Sequence, residues 1–472
     1  MIYLKRQLKK IYKEWGEDPY MYEKDGNGVY QSISYKRFLE ESLSYAAYFL
    51  KNGYRNKTFL LLSENSISLM ECDLAISFYV GRSAIACREW PLDDLEDGVD
   101  EISAECILCS SKYEKVAKKI AEDKKIPYYR MDKIPFSFDF TYFDFPIKKY
   151  DDIAKIVFSS GTTGRSKGVL LSLRNIFSGY QSLQRRLHIN HSDRVYMFLP
   201  LHHTYASICH FMYSILTGHR LYLASSTANI GKELLEVNPT VFCTVPLVLN
   251  KLYDAYKDKI GMAFGNSIRY IVSGGAPMSR EMREVFQNSG LCLLQTYAMT
   301  ETSSSFTLAY PGREDFESTG ELYEDIDVQI VNQDSNGVGE IVVKGDNVFL
   351  GYTDPILNKI VFDDLGYFHT GDLGFIRDGK LYVQGRKKKM LLTGNGENID
   401  ASFVEERILS YSTNINAVKA YVKNDTIGVN LYVVEDENYQ DVIDQYNESV
   451  PRYEQIGFFR VYRDSIDSRL KQ

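Results

Sequence analysis

The sequence lacks any long apolar run, and no segment approaches the roughly 18 uninterrupted apolar residues of a membrane span. It also lacks excess positive charge. The net charge is −8 and the pI near 5.6, so bulk charge gives no support for a nucleic-acid partner, although a local basic groove for a phosphorylated ligand stays open. Seven cysteines in 472 residues do not make a disulfide framework. Cys106 and Cys109 form a CxxC inside the apolar run AECILCSS, and no second pair completes a zinc site, so buried strand thiols are expected. Histidines are few and no HExxH occurs. His202 and His203 are adjacent, which points them in different directions on a helix or a strand. The basic start MIYLKRQLKKIYKEW has no apolar core like a signal peptide's, so an amphipathic helix and a cytoplasmic location are expected. No internal repeat or low-complexity tract is present.

What is present is ordinary globular composition, 44% hydrophobic and 25% charged, in a chain too long for one core. Phe38, Leu39, Leu43, Ala46, Ala47 and Leu50 recur at helical spacing over 36–52, and Gly53 follows as a helix-ending glycine. TFLLLS (58–63) reads as a strand buried on both faces, and 65–79 again as a helix. The alternation continues through strand-like runs at 155–160, 195–200, 220–225, 241–246, 267–277 and 291–302. It predicts an α/β protein with mostly parallel sheets. Several of these runs end in Gly, Ser and Thr, and ligands bind open parallel sheets at strand carboxyl ends. From about 316 the texture turns to short β runs, with hairpin signals NG at 336–337 and DG at 378–379. After GRKKKM (385–390) comes a further small α/β region. The expected division is a large unit, 1–385, with a β subdomain at about 316–385, and a small α/β unit, 386–472.

The run SSGTTGRSKG follows a buried strand. Its glycines allow close backbone approach, the hydroxyls of Ser159, Ser160, Thr162 and Thr163 can cradle phosphate, and Lys167 adds a cation. GxxxxGK[ST] spacing is absent, so this is not a P-loop; composition alone would also fit a flexible Ser/Gly turn. The ordered run resembles the phosphate-binding signature of the adenylate-forming superfamily, which includes acyl-CoA and aryl-CoA synthetases, peptide-synthetase adenylation domains and luciferases. Ser166 stands where that family usually has proline.

The resemblance extends in family order to near the end of the chain. It implies ATP or AMP binding by Ser159, Ser160, Gly161, Thr162, Thr163, Gly164 and Lys167. SGGAP (273–277), with Gly275, Ala276 and Pro277, resembles the adenine-binding turn. QTYAMTE (295–301) resembles the YGxTE segment, here Gln295, Thr296, Tyr297, Ala298, Met299, Thr300 and Glu301. The family pattern implies that Tyr297 stacks on adenine, Thr300 contacts the α-phosphate and Glu301 holds Mg²⁺, a hard cation suited to a carboxylate. Ala298 replaces the usual glycine. GEIVVKGDNVFLGY (339–352) is similar to the segment before the ribose aspartate, and YFHTGDLG (367–374) supplies that aspartate as Asp372.

GRKKKMLLTGNGENID resembles the interdomain hinge motif, with Arg386 for ribose or phosphate, Lys388 at the hinge, and Gly394 and Gly396 along the thiol channel. Lys387 and Lys389 also read as a plain basic surface turn. The implied catalytic lysine is Lys471 in IDSRLKQ, where Leu470 replaces the usual glycine; a solvated terminal lysine is the other reading. Together with Lys471, the implied catalytic set is Lys167, Thr300 and Glu301. LPLHHTYA aligns with the acyl-pocket segment, His203 matching its recurrent histidine; a packed core histidine is the alternative. Thr204 stands where amino-acid-activating relatives place an aspartate, and an unpaired ammonium buried there would be costly, which argues against α-amino acids.

The function implied is activation of a carboxylic acid, fatty or similarly apolar, to acyl-AMP with ATP and Mg²⁺, followed by transfer to the thiol of CoA. The alternatives are an enzyme loading a carrier-protein phosphopantetheine and a nucleotide- or acyl-binding protein without turnover, the latter suggested by Ser166, Ala298 and Leu470.

Overall fold

The computed structural model describes residues 2–159, 167–313, 315–387, 390–392, 398–412, 414–423, 426–433, 437–450 and 454–463. Two seven-stranded sheets form its larger part. One runs in the order 293–295, 270–273, 241–244, 194–197, 220–223, 19–24, 30–34, parallel except for the last pair. The other runs 351–352, 167–172, 153–159, 82–85, 58–62, 106–109, 128–130. It is parallel from 153–159 outward and antiparallel on the other side, where 153–159, 167–172 and 351–352 follow one another.

The local reasons are those of the sequence pattern. Helix Tyr35–Lys51 buries Phe38, Leu39, Leu43, Ala46 and Ala47, and starts where the Ser34 side chain accepts from the Arg37 amide. Gly53 follows at φ +83, a conformation that suits glycine. Thr58–Leu62 is buried at every position because helices cover both faces of its sheet. Helix Ile67–Ala75 continues as a wider π-turn, Ile76–Val80. Residues 2–14 form the expected amphipathic helix, burying Leu4, Leu8 and Ile11. Cys106 and Cys109 lie fully buried on one strand, and burial pushes the Cys109 thiol up to about 12. No described helix is long and apolar enough to cross a membrane.

The third sheet is antiparallel, in the order 307–308, 321–322, 380–386, 368–377, 339–344, 327–331. It therefore takes in a two-residue strand ahead of the expected start at 316, too short for an alternating pattern to mark. Both predicted hairpins are present: Gly337 (φ +78) lies in the connection between 327–331 and 339–344, and Asp378 (φ +51) with Gly379 (φ +74) joins 368–377 to 380–386.

Further along, strands 415–423, 426–433 and 456–463 and helices 401–411 and 439–448 gather their own buried cluster, drawn from Leu391 to Ile456.

Candidate active site

The parallel strands 241–244, 270–273 and 293–295 end in Thr244, Ser273 and Gln295, which stand side by side in register. All three are buried, and the Thr244 Oγ1, Ser273 Oγ and Gln295 Oε1 atoms meet no hydrogen-bond partner among the described residues. A buried polar atom without a partner costs about 1–3 kcal/mol, and this row of three lies at the carboxyl edge of the sheet, the end at which open parallel sheets bind ligands. Over it turns the segment Gly274–Pro277. Gly275 sits at φ +82, and a Cβ on Gly274 would come within 2.7 Å of the Thr296 Cγ2.

Beyond Gln295 the chain follows QTYAMTE. Thr296 donates its hydroxyl to the Thr307 carbonyl (2.7 Å), and the Tyr297 amide donates to Thr307 Oγ1 (3.0 Å). Ala298 bridges to Ser305, and the Met299 amide donates to Thr302 Oγ1 at 3.0 Å. Thr300–Thr302 then form a single tight turn. Glu301 is buried, and its Oε1 accepts the Tyr352 hydroxyl at 2.8 Å. No described side chain donates to its other oxygen. A carboxylate held at one oxygen and open at the other fits a hard cation bridging phosphates.

Asp372 and Arg386 come from neighbouring antiparallel strands and face each other in register. The guanidinium Nε lies 2.9 Å from Asp372 Oδ1, and the Tyr297 hydroxyl donates to Asp372 Oδ2. Tyr297 therefore binds Asp372 with its tip while its ring meets Phe306 edge-on at 5.0 Å. Burial first, then the Asp372 charge, holds the Tyr297 phenol well above its usual range, so it remains a donor. Burial works against the Arg386 charge, yet the neighbouring carboxylates of Asp372 and Glu301 raise its pKa overall.

Lys167 opens the strand 167–172 opposite Ser159, and its Nζ lies 5.4 Å over the Tyr352 ring. Beside it, Glu101 accepts from the Gly168 amide (3.3 Å) and from the Thr353 hydroxyl, and the Thr353 amide donates to the Gly168 carbonyl (2.8 Å). Ser160, Gly161, Thr162, Thr163 and Gly164 lie outside the described residues, as do Lys388, Gly394, Gly396 and Lys471.

At the acyl-pocket segment, His203 is solvent-exposed, which removes the packed-core reading. His202 and His203 do not diverge: they sit on a turn, where adjacent side chains converge, with ring centroids 4.1 Å apart. Thr204 leads into a π-helix, Tyr205–Met212, a form frequent at functional sites. The Tyr205 hydroxyl donates to the Val272 carbonyl at 2.9 Å, fastening this helix to the strand that ends in Ser273.

Sequence reasoning assigned no role to three residues here. Tyr352 lay inside a quoted motif, so its position carried a signal. Glu101 gave none, because it meets Gly168 and Thr353 only through the fold. Glu340 accepts from Lys387 Nζ and pairs with His369 Nδ1, both at 3.1 Å. Lys387 lies on an exposed turn, as its basic surface-turn reading expects, and its ammonium also reaches Glu340 of the antiparallel sheet.

A family model for AMP-binding enzymes matches residues 9–353, and the chain belongs to that family. A 2-succinylbenzoate–CoA ligase of Staphylococcus epidermidis is 30% identical over 312 residues, 64% of either chain. A human long-chain-fatty-acid–CoA ligase is 28% identical over 313 residues, covering 55% of this chain and 47% of that one. The alignments thus span less than two thirds of the length of these relatives. The fold is also that of the o-succinylbenzoate CoA synthetase of Bacillus subtilis solved with its acyl-adenylate intermediate, with a TM-score of 0.84 at 22% identity over 99% of this chain and 96% of that one. ATP-bound MatB from Rhodopseudomonas palustris superimposes with a TM-score of 0.79 at 21% identity, over 99% and 96% of the two chains.

Proposed function

We propose that the protein is an AMP-forming acid–thiol ligase, activating an apolar carboxylic acid with ATP and passing the acyl group to CoA. The observation that carries this reading is the convergence of Tyr297 and Glu301, Asp372 with Arg386, and Lys167 with Tyr352, from segments far apart in sequence.

The acid is ionised at neutral pH and needs no base. Its oxygen attacks the α-phosphorus, the bond to the β-phosphate breaks, and pyrophosphate leaves with the electron pair. The obstacle is negative charge at phosphorus, which fixed cations and donors relieve. Lys167 draws on phosphate oxygens, and the Thr300 hydroxyl faces the α-phosphate. Glu301 would hold Mg²⁺, which would supply neutralisation of phosphate charge. Asp372 accepts the ribose hydroxyls, with Arg386 beside it. Lys471 is the lysine that completes the adenylation site. The small unit, 386–472, turns about Lys388 to exchange Lys471 for a thiol channel along Gly394 and Gly396. The thiol then attacks the acyl carbonyl and AMP leaves.

Thr204 supports an acid without an ammonium. The names of the relatives divide between an aryl acid and fatty acids, and each is a CoA ligase, which favours CoA over a carrier protein. The test is pyrophosphate release across 2-succinylbenzoate, simple aryl acids, fatty acids of graded length and amino acids, with and without CoA. One apolar class should release pyrophosphate and yield a CoA thioester. Response to amino acids alone, or to no acid, overturns the reading. Lys471→Ala should abolish acyl-AMP formation while sparing CoA transfer from supplied acyl-AMP; full activity in that variant removes Lys471 from the site.

A further inference from the structure

Tyr352 stands at the centre of the charged cluster, and the reaction scheme above gives it nothing to do. Its backbone is fixed from several sides. Gly351 before it adopts φ +132, and a Cβ there would meet Asn358 Nδ2 at 2.8 Å, so only glycine fits this turn. Asn358 Oδ1 accepts from the Tyr352 amide at 2.6 Å, and Asn358 Nδ2 donates back to the Tyr352 carbonyl at 3.1 Å. Tyr352 pairs with Val169 on the strand that begins at Lys167. Phe349 packs edge-on against the ring at 4.8 Å. The side chain is 7% exposed and has little freedom to leave.

From this fixed position the two ends of one side chain meet opposite charges. The hydroxyl donates to Glu301 Oε1 at 2.8 Å. The ring face receives Lys167 Nζ at 5.4 Å, within the range of a cation–π contact. Among the described residues no ion pair joins Lys167 directly to Glu301.

We propose that Tyr352 is a positioning residue that holds the Glu301 carboxylate and the Lys167 ammonium apart and aimed, each on a neutral partner that a ligand can replace. A direct Lys–Glu contact in a site shielded from water would be strong and would have to be broken before either charge could serve a ligand. A phenol hydroxyl and a ring face give each charge a weaker hold and keep one carboxylate oxygen open. This inference rests on the ATP and Mg²⁺ reading of the site.

The test separates the two ends of the side chain. Tyr352→Phe keeps the ring and loses the hydroxyl; Tyr352→Leu loses both. Binding of a non-hydrolysable ATP analogue in EDTA is measured by calorimetry. Mn²⁺ binding to the analogue-loaded protein is measured by electron paramagnetic resonance, and melting temperatures are recorded alongside. For Tyr352→Phe we expect analogue affinity in EDTA within about twofold of wild type and Mn²⁺ affinity about tenfold weaker, the scale of one hydrogen bond to a charged group. For Tyr352→Leu we expect both affinities to fall. Wild-type Mn²⁺ affinity in Tyr352→Phe overturns the inference alone. So does an equal loss of both affinities in the two variants that tracks a fall in melting temperature, because it marks a packing role. Failure of the wild-type protein to bind the analogue overturns the ligase reading and this inference with it.

Discussion

Asp372 and Arg386 face each other across adjacent strands, the guanidinium Nε 2.9 Å from the carboxylate, with the Tyr297 hydroxyl on the other oxygen. The groups expected to grip a ribose thus grip one another first. A nucleotide bound as proposed would have to insert its hydroxyls into this arrangement, and its affinity would be net of that exchange. Asp372→Asn should weaken AMP binding by about 10- to 100-fold, the range for hydrogen bonds to a charged acceptor. It should also erase the preference for AMP over 2′-deoxy-AMP. Calorimetric titration with both nucleotides checks this; an undiminished preference would remove Asp372 from the ribose site.

Glu301→Gln keeps the shape and the Tyr352 contact but removes the charge. Pyrophosphate release should fall by about 10²- to 10³-fold, the cost of losing one strong electrostatic group. Nucleotide affinity in EDTA should stay near wild type. Loss of both together would mean that the carboxylate only holds the turn.

Asp73 and Lys155 form an ion pair exposed by no more than 1%, and Ser83 donates to the second carboxylate oxygen at 2.5 Å. Lys155 lies on the strand that leads to Ser159. Removing one partner strands a buried charge, which costs about 3–5 kcal/mol. Lys155→Met should therefore be much less stable in urea than the double variant Lys155→Met/Asp73→Leu, in which no charge is stranded. Equal midpoints would show that the pair is not electrostatically coupled.

Lys148 donates to the Gly81 carbonyl (2.5 Å) and to the Ile153 carbonyl, yet burial pulls its pKa down to about 8 from 10.5. The folded state thus binds this proton less tightly than the unfolded chain. Its contribution makes stability rise as pH climbs from about 8 to 10.5, and weigh against folding below that window. Urea midpoints between pH 7 and 10.5 should show a smaller upward slope in Lys148→Met than in wild type. Identical slopes would refute it.

Much of the fold was legible because period and punctuation agree. The runs at 36–52 and 58–63, and the Asp378–Gly379 turn, each carry their signal locally. Of the candidate site, what was legible lay on contiguous motifs, which single out Glu301, Asp372 and Arg386 as candidates without any geometry. What was hidden depends on partners distant in sequence. Glu101 has no local pattern, and the π-helix at 205–212 departs from the α-helical spacing that apolar residues advertise. The convergence of His202 and His203 needed the turn itself. The choice among apolar acids was not legible at all, since a pocket's depth is a property of walls drawn from many elements.

The strand Gly351–Tyr352 closes the sheet edge beside Leu170 and Val169, some 180 residues upstream. Before that segment emerges from the ribosome, the hairpin bearing Lys167 presents bare amides and carbonyls to whatever passes, a template for errant pairing. The nascent chain therefore carries this open edge while some 180 further residues are made, and a stalled product ending short of Gly351 would be a ready seed for aggregation.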